Sequence, residues 1–195
     1  MNKTGTTSLL EFMKIHGYAC GDQAEGEMLI KDLNVNDWSG FVDYCDSAEF
    51  FQDLPFSGTK SLSVLAENYP DAKYILTIRN SAEIWYNSLV AFHQSVFGNP
   101  LNKDTLKESP YRYHGFAWHA NRFLYTSPES DPYQRASLIN DYEEHIRIAK
   151  RTFDTDTSLL VLNLSEPNSV NRLSTFLGIK SKVATMPWLN KRVHT

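Results

Sequence analysis

Two short, unbroken apolar runs stand out along the chain: Tyr74–Ile78 (YILTI) and Leu159–Leu164 (LLVLNL). Runs of this length that do not alternate with polar residues suit parallel strands covered on both faces. Glu49–Phe51, just ahead of Gln52, Asp53, Leu54 and Pro55, is a weaker third strand. Elsewhere the apolar positions fall at helical spacing. Thr7–His16 carries Leu9, Leu10, Phe12 and Met13, and Gly17 follows it as a C-terminal cap. Lys60–Asn68 ends before Tyr69 and Pro70, and Ala82–Phe97 and Tyr111–Tyr125 are aromatic-rich. Gln134–Phe153 places Leu138, Tyr142, Ile146, Ala149 and Phe153 on one stripe, the mark of a helix with one buried face. Asn168–Leu177 follows Pro167 and stops at Gly178, the usual asymmetry of helix ends. The stretches Gly98–Pro110 and Ser127–Pro132 read as connections inside one domain. Helices alternating with buried strands predict an α/β fold. We expect a three-layer parallel sheet flanked by helices, in a single domain over 1–195.

Composition narrows the function classes. With 42% apolar and 22% charged residues the chain matches an ordinary globular protein, so disordered and fibrous classes are excluded. The net charge of −4 argues against general binding to nucleic acid or anionic membranes. No stretch approaches the ~18 apolar residues of a membrane span, and the start MNKTGTTSLL lacks a secretory pattern. Cys20 and Cys45 are the only cysteines and neither has a CxxC partner. A disulfide scaffold is not expected, and a cytoplasmic location fits.

The first residues carry the clearest chemistry. Asn2, Lys3, Thr4, Gly5, Thr6, Thr7 and Ser8 run directly into the first helix. A Gly- and hydroxyl-rich loop at a helix N-terminus offers free N–H groups at the positive end of the helix dipole, which binds phosphate or sulfate. It is not a Walker A loop, because Lys3 precedes Gly5. For the loop alone, Thr6 or Thr7 as a plain helix cap is the alternative.

This arrangement resembles the 5′-phosphosulfate loop of sulfotransferases that use 3′-phosphoadenosine 5′-phosphosulfate (PAPS). Two further segments resemble the same family in the same order. Tyr69–Asn80, followed by Ser88, is similar to its 3′-phosphate element, a strand ending in Arg-Asn before a helix bearing Ser. Leu159–Leu164, then Ser165, Glu166 and Pro167, then Phe176, Leu177 and Gly178, resembles its late strand, turn and helix. The segment 187–191 resembles a C-terminal stretch of soluble bacterial-type members.

The resemblance implies a P-loop-like sulfotransferase fold that moves a sulfonate group from PAPS to a hydroxyl or amine and releases the bisphosphate PAP. It implies Lys3 as the cation at the leaving group and Asp53, at the interval where relatives carry His-Leu-Pro or a carboxylate, as general base. It implies donor contacts from Lys3, Thr4, Gly5, Thr6, Thr7, Ser8, Arg79 and Ser88, with Lys191 and Arg192 closing over the phosphates. The usual Arg-to-Ser interval would fall on Asn87, one residue before Ser88. Glu83 is the alternative partner of Arg79, and His93, His114 and His119 compete with Asp53. No metal is expected. The acceptor is a small molecule, carbohydrate or lipid, with no nucleic-acid partner, and an oligomer is possible. Family members carry an apolar strand before the loop, whereas here Met1 stands two residues ahead of Lys3. The resemblance thus implies a missing strand: a truncation, a slot filled by another molecule or segment, or a loosely held loop with weak activity. The rival functions are a non-catalytic binding or assembly protein and a nucleoside-phosphate kinase.

Overall fold

A computed structural model describes residues 1–187. Its elements run α1 (Thr6–Ile15), α2 (Gln23–Met28), α3 (Ile30–Asn34), α4 (Ser39–Cys45), α5 (Thr59–Asn68), β1 (Tyr74–Thr77), α6 (Ala82–Phe97), α7 (Lys103–Glu108), α8 (Phe116–Leu124), α9 (Arg135–Thr152), β2 (Leu159–Leu162) and α10 (Ser169–Leu177). The architecture is a helix-rich α/β fold built around a small parallel sheet. Strands β1 and β2 pair in parallel, Tyr74 opposite Leu159 through Thr77 opposite Leu162. Side chains alternate across the sheet as the strand period requires. Leu76, Leu159 and Val161 join one apolar cluster, which includes Trp85, Leu89, Phe116, Leu138 and Tyr142. Ile75, Leu160 and Leu162 join a second, with Leu9, Phe12 and Met13 of α1 and Leu173 of α10. Apolar helices therefore cover both faces, which is why both strands are apolar but for Thr77 at the end of β1.

The expected strand at Glu49–Phe51 is not formed. Phe50 makes only an isolated parallel bridge to Cys20. Its neighbours bond outward: the Glu49 and Phe50 amides both donate to the Ala19 carbonyl. The predicted helix Tyr111–Tyr125 begins only at Phe116, because Arg112 (φ 61°) and Gly115 (φ 86°) turn the chain through left-handed conformations. The expected connection Gly98–Pro110 contains α7, capped by the Asn102 side chain accepting from the Thr105 amide. Helices α2, α3 and α4 were not expected at all.

Tyr74 and Ile78 donate their amides to Ser158 and Leu162. The alternating Ile75 and Thr77 amides therefore face the other way. They border a cavity of about 500 Å3 that separates β1 from the Phe50 segment.

Candidate functional site

The site grows from the turn before α1. Lys3 adopts a left-handed conformation (φ 60°) and Gly5 a second (φ 103°). Only glycine suits the latter position, since a Cβ there would lie 2.6 Å from Leu164 Cδ1. Thr4 is fully buried and anchors the turn. Its hydroxyl donates to the Met1 carbonyl at 2.5 Å and lies 2.6 Å from the Thr77 hydroxyl at the end of β1. Gly5 is the N-cap and α1 has no side-chain cap. The first intrahelical bond runs from the Leu9 amide to the Gly5 carbonyl. The Thr6, Thr7 and Ser8 amides thus have no intrahelical acceptor and are available to an anion. Neither threonine caps the helix; the Thr6 hydroxyl donates to Asp53 Oδ2 at 3.3 Å.

Arg79 follows β1. Its Nε donates to the Lys3 carbonyl at 2.7 Å, and its amide donates to the Tyr142 hydroxyl at 2.9 Å. Glu83 is not its partner: that carboxylate pairs with Arg135. The two terminal nitrogens of Arg79 make no hydrogen bond among the described residues. Asn80 accepts from Asn163, tying the ends of the two strands together.

Helix α6 holds the other side of the turn. The Trp85 indole donates to the Asn2 carbonyl at 3.0 Å, and His93 Nε2 lies 3.4 Å from Asn2 Nδ2. The Lys3 ammonium stands 3.8 Å from the centre of the Phe92 ring. His93 is buried, and its Nδ1 lies 2.5 Å from the Tyr133 hydroxyl. Burial, helped by nearby Lys3, pushes its pKa down to about 3. A histidine this hard to protonate is a poor general base, but its neutral Nε2 suits the Asn2 amide. Ser88 lies on the same helix face as Phe92, one turn earlier, and is half-buried, whereas Asn87 is exposed.

Asp53 also adopts a left-handed conformation (φ 57°), which aspartate tolerates better than most residues. It accepts from Thr6 and, at 3.4 Å, from Ser57. Burial raises its pKa above the usual carboxylate value. Glu27 adds to that rise, while the Met1 amino group and the Thr6 and Ser57 bonds oppose it. Glu27 is itself buried and paired with Arg112.

These groups share one cleft of about 560 Å3, lined by Lys3 through Ser8, Arg79, Ser88 and Asp53. Of the competing histidines, His93 borders it. His114 faces Glu108 at the surface and His119 bonds Tyr113. Lys191 and Arg192 lie outside the described residues. Sequence reasoning missed Asn2 as the anchor of the turn, the Trp85 and His93 side chains that hold it, and the Glu27–Arg112 pair. Asn2 was visible in the loop, but its partners stand 83 and 91 residues away.

A family model described as a sulfotransferase domain matches residues 1–195. The chain belongs to the sulfotransferase family. A search of curated proteins finds no match. Members of the family transfer sulfonate groups, generally from PAPS, to small-molecule acceptors. In this sulfotransferase domain no group of three or more His, Cys, Asp or Glu side chains is placed to hold a metal among the described residues. No described helix is long and apolar enough to cross a membrane.

Proposed function

We propose that this domain transfers a sulfonate group from PAPS to a hydroxyl or amine acceptor. One observation carries the reading: uncapped α1 amides, a lysine, an arginine whose terminal nitrogens are unbonded among the described residues and a half-buried carboxyl meet in one cleft. The cleft suits the donor because it offers hydrogen-bond donors and positive charge at two separate places, the loop and the end of β1. When bound, the donor supplies the sulfonate group: its bridging S–O bond breaks, an acceptor O–S bond forms, and the electron pair stays on the phosphate oxygen.

The protein contributes positioning and electrostatics. The Thr6, Thr7 and Ser8 amides and their hydroxyls hold the anionic oxygens, and Lys3 stabilises charge arriving on the leaving phosphate. Arg79 and Ser88 hold the 3′-phosphate, the planar guanidinium matching a phosphate better than a point charge does. Asp53 takes the acceptor's proton; its raised pKa makes it a stronger base than an exposed aspartate once ionised.

The test is calorimetric titration with adenosine 3′,5′-bisphosphate, followed by PAPS turnover across phenols, sugars and lipid alcohols. Micromolar binding with turnover of at least one acceptor is expected. A folded chain that neither binds the bisphosphate nor turns over any acceptor refutes the proposal.

A further inference from the structure

Beyond the loop, the cleft has a wall that the donor reading does not use. Aromatic rings run along it in unbroken contact, starting where Lys3 stands over Phe92. His93 lies 5.0 Å from Phe97, Phe97 lies 6.0 Å from Tyr111, and Tyr111 lies 5.4 Å from Phe116, measured between ring centres. All of these border the cleft. Ala117 and Ala120 border it as well. Phe92 and Val96, one helical turn apart on α6, remain 40% and 37% exposed. A large apolar surface left open at a polar site marks a ligand with an apolar body.

The polar groups at the Asp53 end have a definite sense. Asp53 and Glu27 border the cleft there, and both are acids. Arg112 on that side is engaged by Glu27 and stacked on Tyr111. Gln52 gives its amide N–H to Gln23, while its buried Oε1 has no partner among the described residues. A buried acceptor without a donor is costly, and a ligand hydroxyl beside Asp53 would satisfy it. An anionic ligand would face the Asp53 and Glu27 carboxylates there.

We infer that the acceptor is an uncharged, ring-bearing alcohol whose flat apolar body lies on the Phe97–Tyr111–Phe116 wall and whose hydroxyl points at Asp53 and Gln52. This rests on the sulfonate-transfer reading above for the reaction, but not for binding.

The experiment therefore has two arms. In the first, donor-free chain is titrated calorimetrically with 2-naphthol, with its carboxylated analogue 6-hydroxy-2-naphthoate, with 1-octanol and with N-acetylglucosamine. We expect 2-naphthol to bind about tenfold or more tighter than each of the other three, the range a well-fitted apolar pocket gives. In the second, the same compounds are assayed with PAPS, and the order of kcat/KM should be the same. Val96→Asn should weaken 2-naphthol about tenfold, by setting an uncharged but unpaired amide against an apolar ligand. It should leave bisphosphate affinity unchanged within about twofold, because it removes no donor-binding group. Selective 2-naphthol binding without bisphosphate binding would sink the donor reading and leave the wall assignment standing. Equal binding of naphthol and its carboxylate, or a preference for octanol or the sugar, would overturn the inference whatever the donor does.

Discussion

Arg79→Ala separates the two things this side chain does. In the folded chain its Nε braces the turn by donating to the Lys3 carbonyl at 2.7 Å. Its terminal nitrogens make no hydrogen bond among the described residues and are the ones proposed to hold the 3′-phosphate. Each hydrogen bond involving a charged group contributes about 1.5–3 kcal/mol net. Loss of the phosphate contact alone should therefore weaken adenosine 3′,5′-bisphosphate by about tenfold to 150-fold, at 1.4 kcal/mol per decade. Loss of the brace loosens the loop and weakens every nucleotide that uses it. Titrating wild type and Arg79→Ala with both adenosine 3′,5′-bisphosphate and adenosine 5′-phosphate resolves the two. The drop shared by both ligands measures the brace, and the extra drop for the bisphosphate measures the 3′-phosphate contact. We expect the variant to lose the wild-type preference for the bisphosphate. Arg79→Lys should recover part of it, since a point charge replaces the planar fork. Equal losses for the two ligands would reduce Arg79 to a structural brace. No loss for either would mean that the phosphate site lies elsewhere.

Further outcomes follow from the same geometry. Gly5→Ala combines a left-handed φ of 103° with a Cβ 2.6 Å from Leu164; it should cost about 1–3 kcal/mol in thermal denaturation and abolish bisphosphate binding. Asp53→Asn should lower kcat about 100-fold or more while leaving bisphosphate affinity nearly intact; an unchanged kcat would exclude Asp53 as the base. Because burial raises the Asp53 pKa, wild-type kcat/KM should fall on an acid limb lying above the ordinary carboxylate value of 3.8, and the Asn variant should lack that limb. The linked stability has the opposite sense: the folded state holds this proton more tightly, so Asp53 favours folding below 3.8 and that contribution is lost as pH rises through the raised value. His93→Leu leaves the Asn2 amide without its buried acceptor and should cost about 1–3 kcal/mol of stability together with bisphosphate affinity, whereas His93→Gln, which restores an acceptor, should recover much of both; equal affinity in wild type and His93→Leu would detach His93 from the loop.

Where a segment's structure is decided locally, its sequence showed it. Helix α6 occupies the expected residues Ala82–Phe97, and its ends are set locally: Ser81 caps one by accepting from the Ile84 amide and Gly98 (φ 104°) closes the other. Helices α2 to α4 were illegible for the same reason inverted. They span five to seven residues each, too few turns to establish a period. Their apolar anchors Ile30, Leu33 and Phe41 are separated by Val35, which is 76% exposed, and by the left-handed Asn36. Glu49–Phe51 has strand composition but lacks a ladder partner beyond Cys20, and strand identity depends on neighbours that sequence spacing does not reveal.

The site shows the same division, and the sheet register explains how its parts meet. The loop was legible because amides, glycine and hydroxyls lie within seven residues. The contact of Asp53 with Thr6 spans 47 residues, that of Arg79 with Lys3 spans 76, and that of Arg112 with Glu27 spans 85. No local pattern encodes such separations; only the resemblance suggested that Asp53 and Arg79 belong to the same site as the loop. What closes them is the pairing of Thr77 with Leu162. It sets the ends of both strands level, so that Asn80 meets Asn163 and Leu164 fills the space behind Gly5. Thr4 then docks on Thr77, and Arg79 reaches Lys3. A one-residue slip would turn Thr77 toward the opposite face and carry Leu164 away from Gly5. The short parallel sheet thus fixes the site: its carboxyl ends are where the loop, the guanidinium and the cleft coincide.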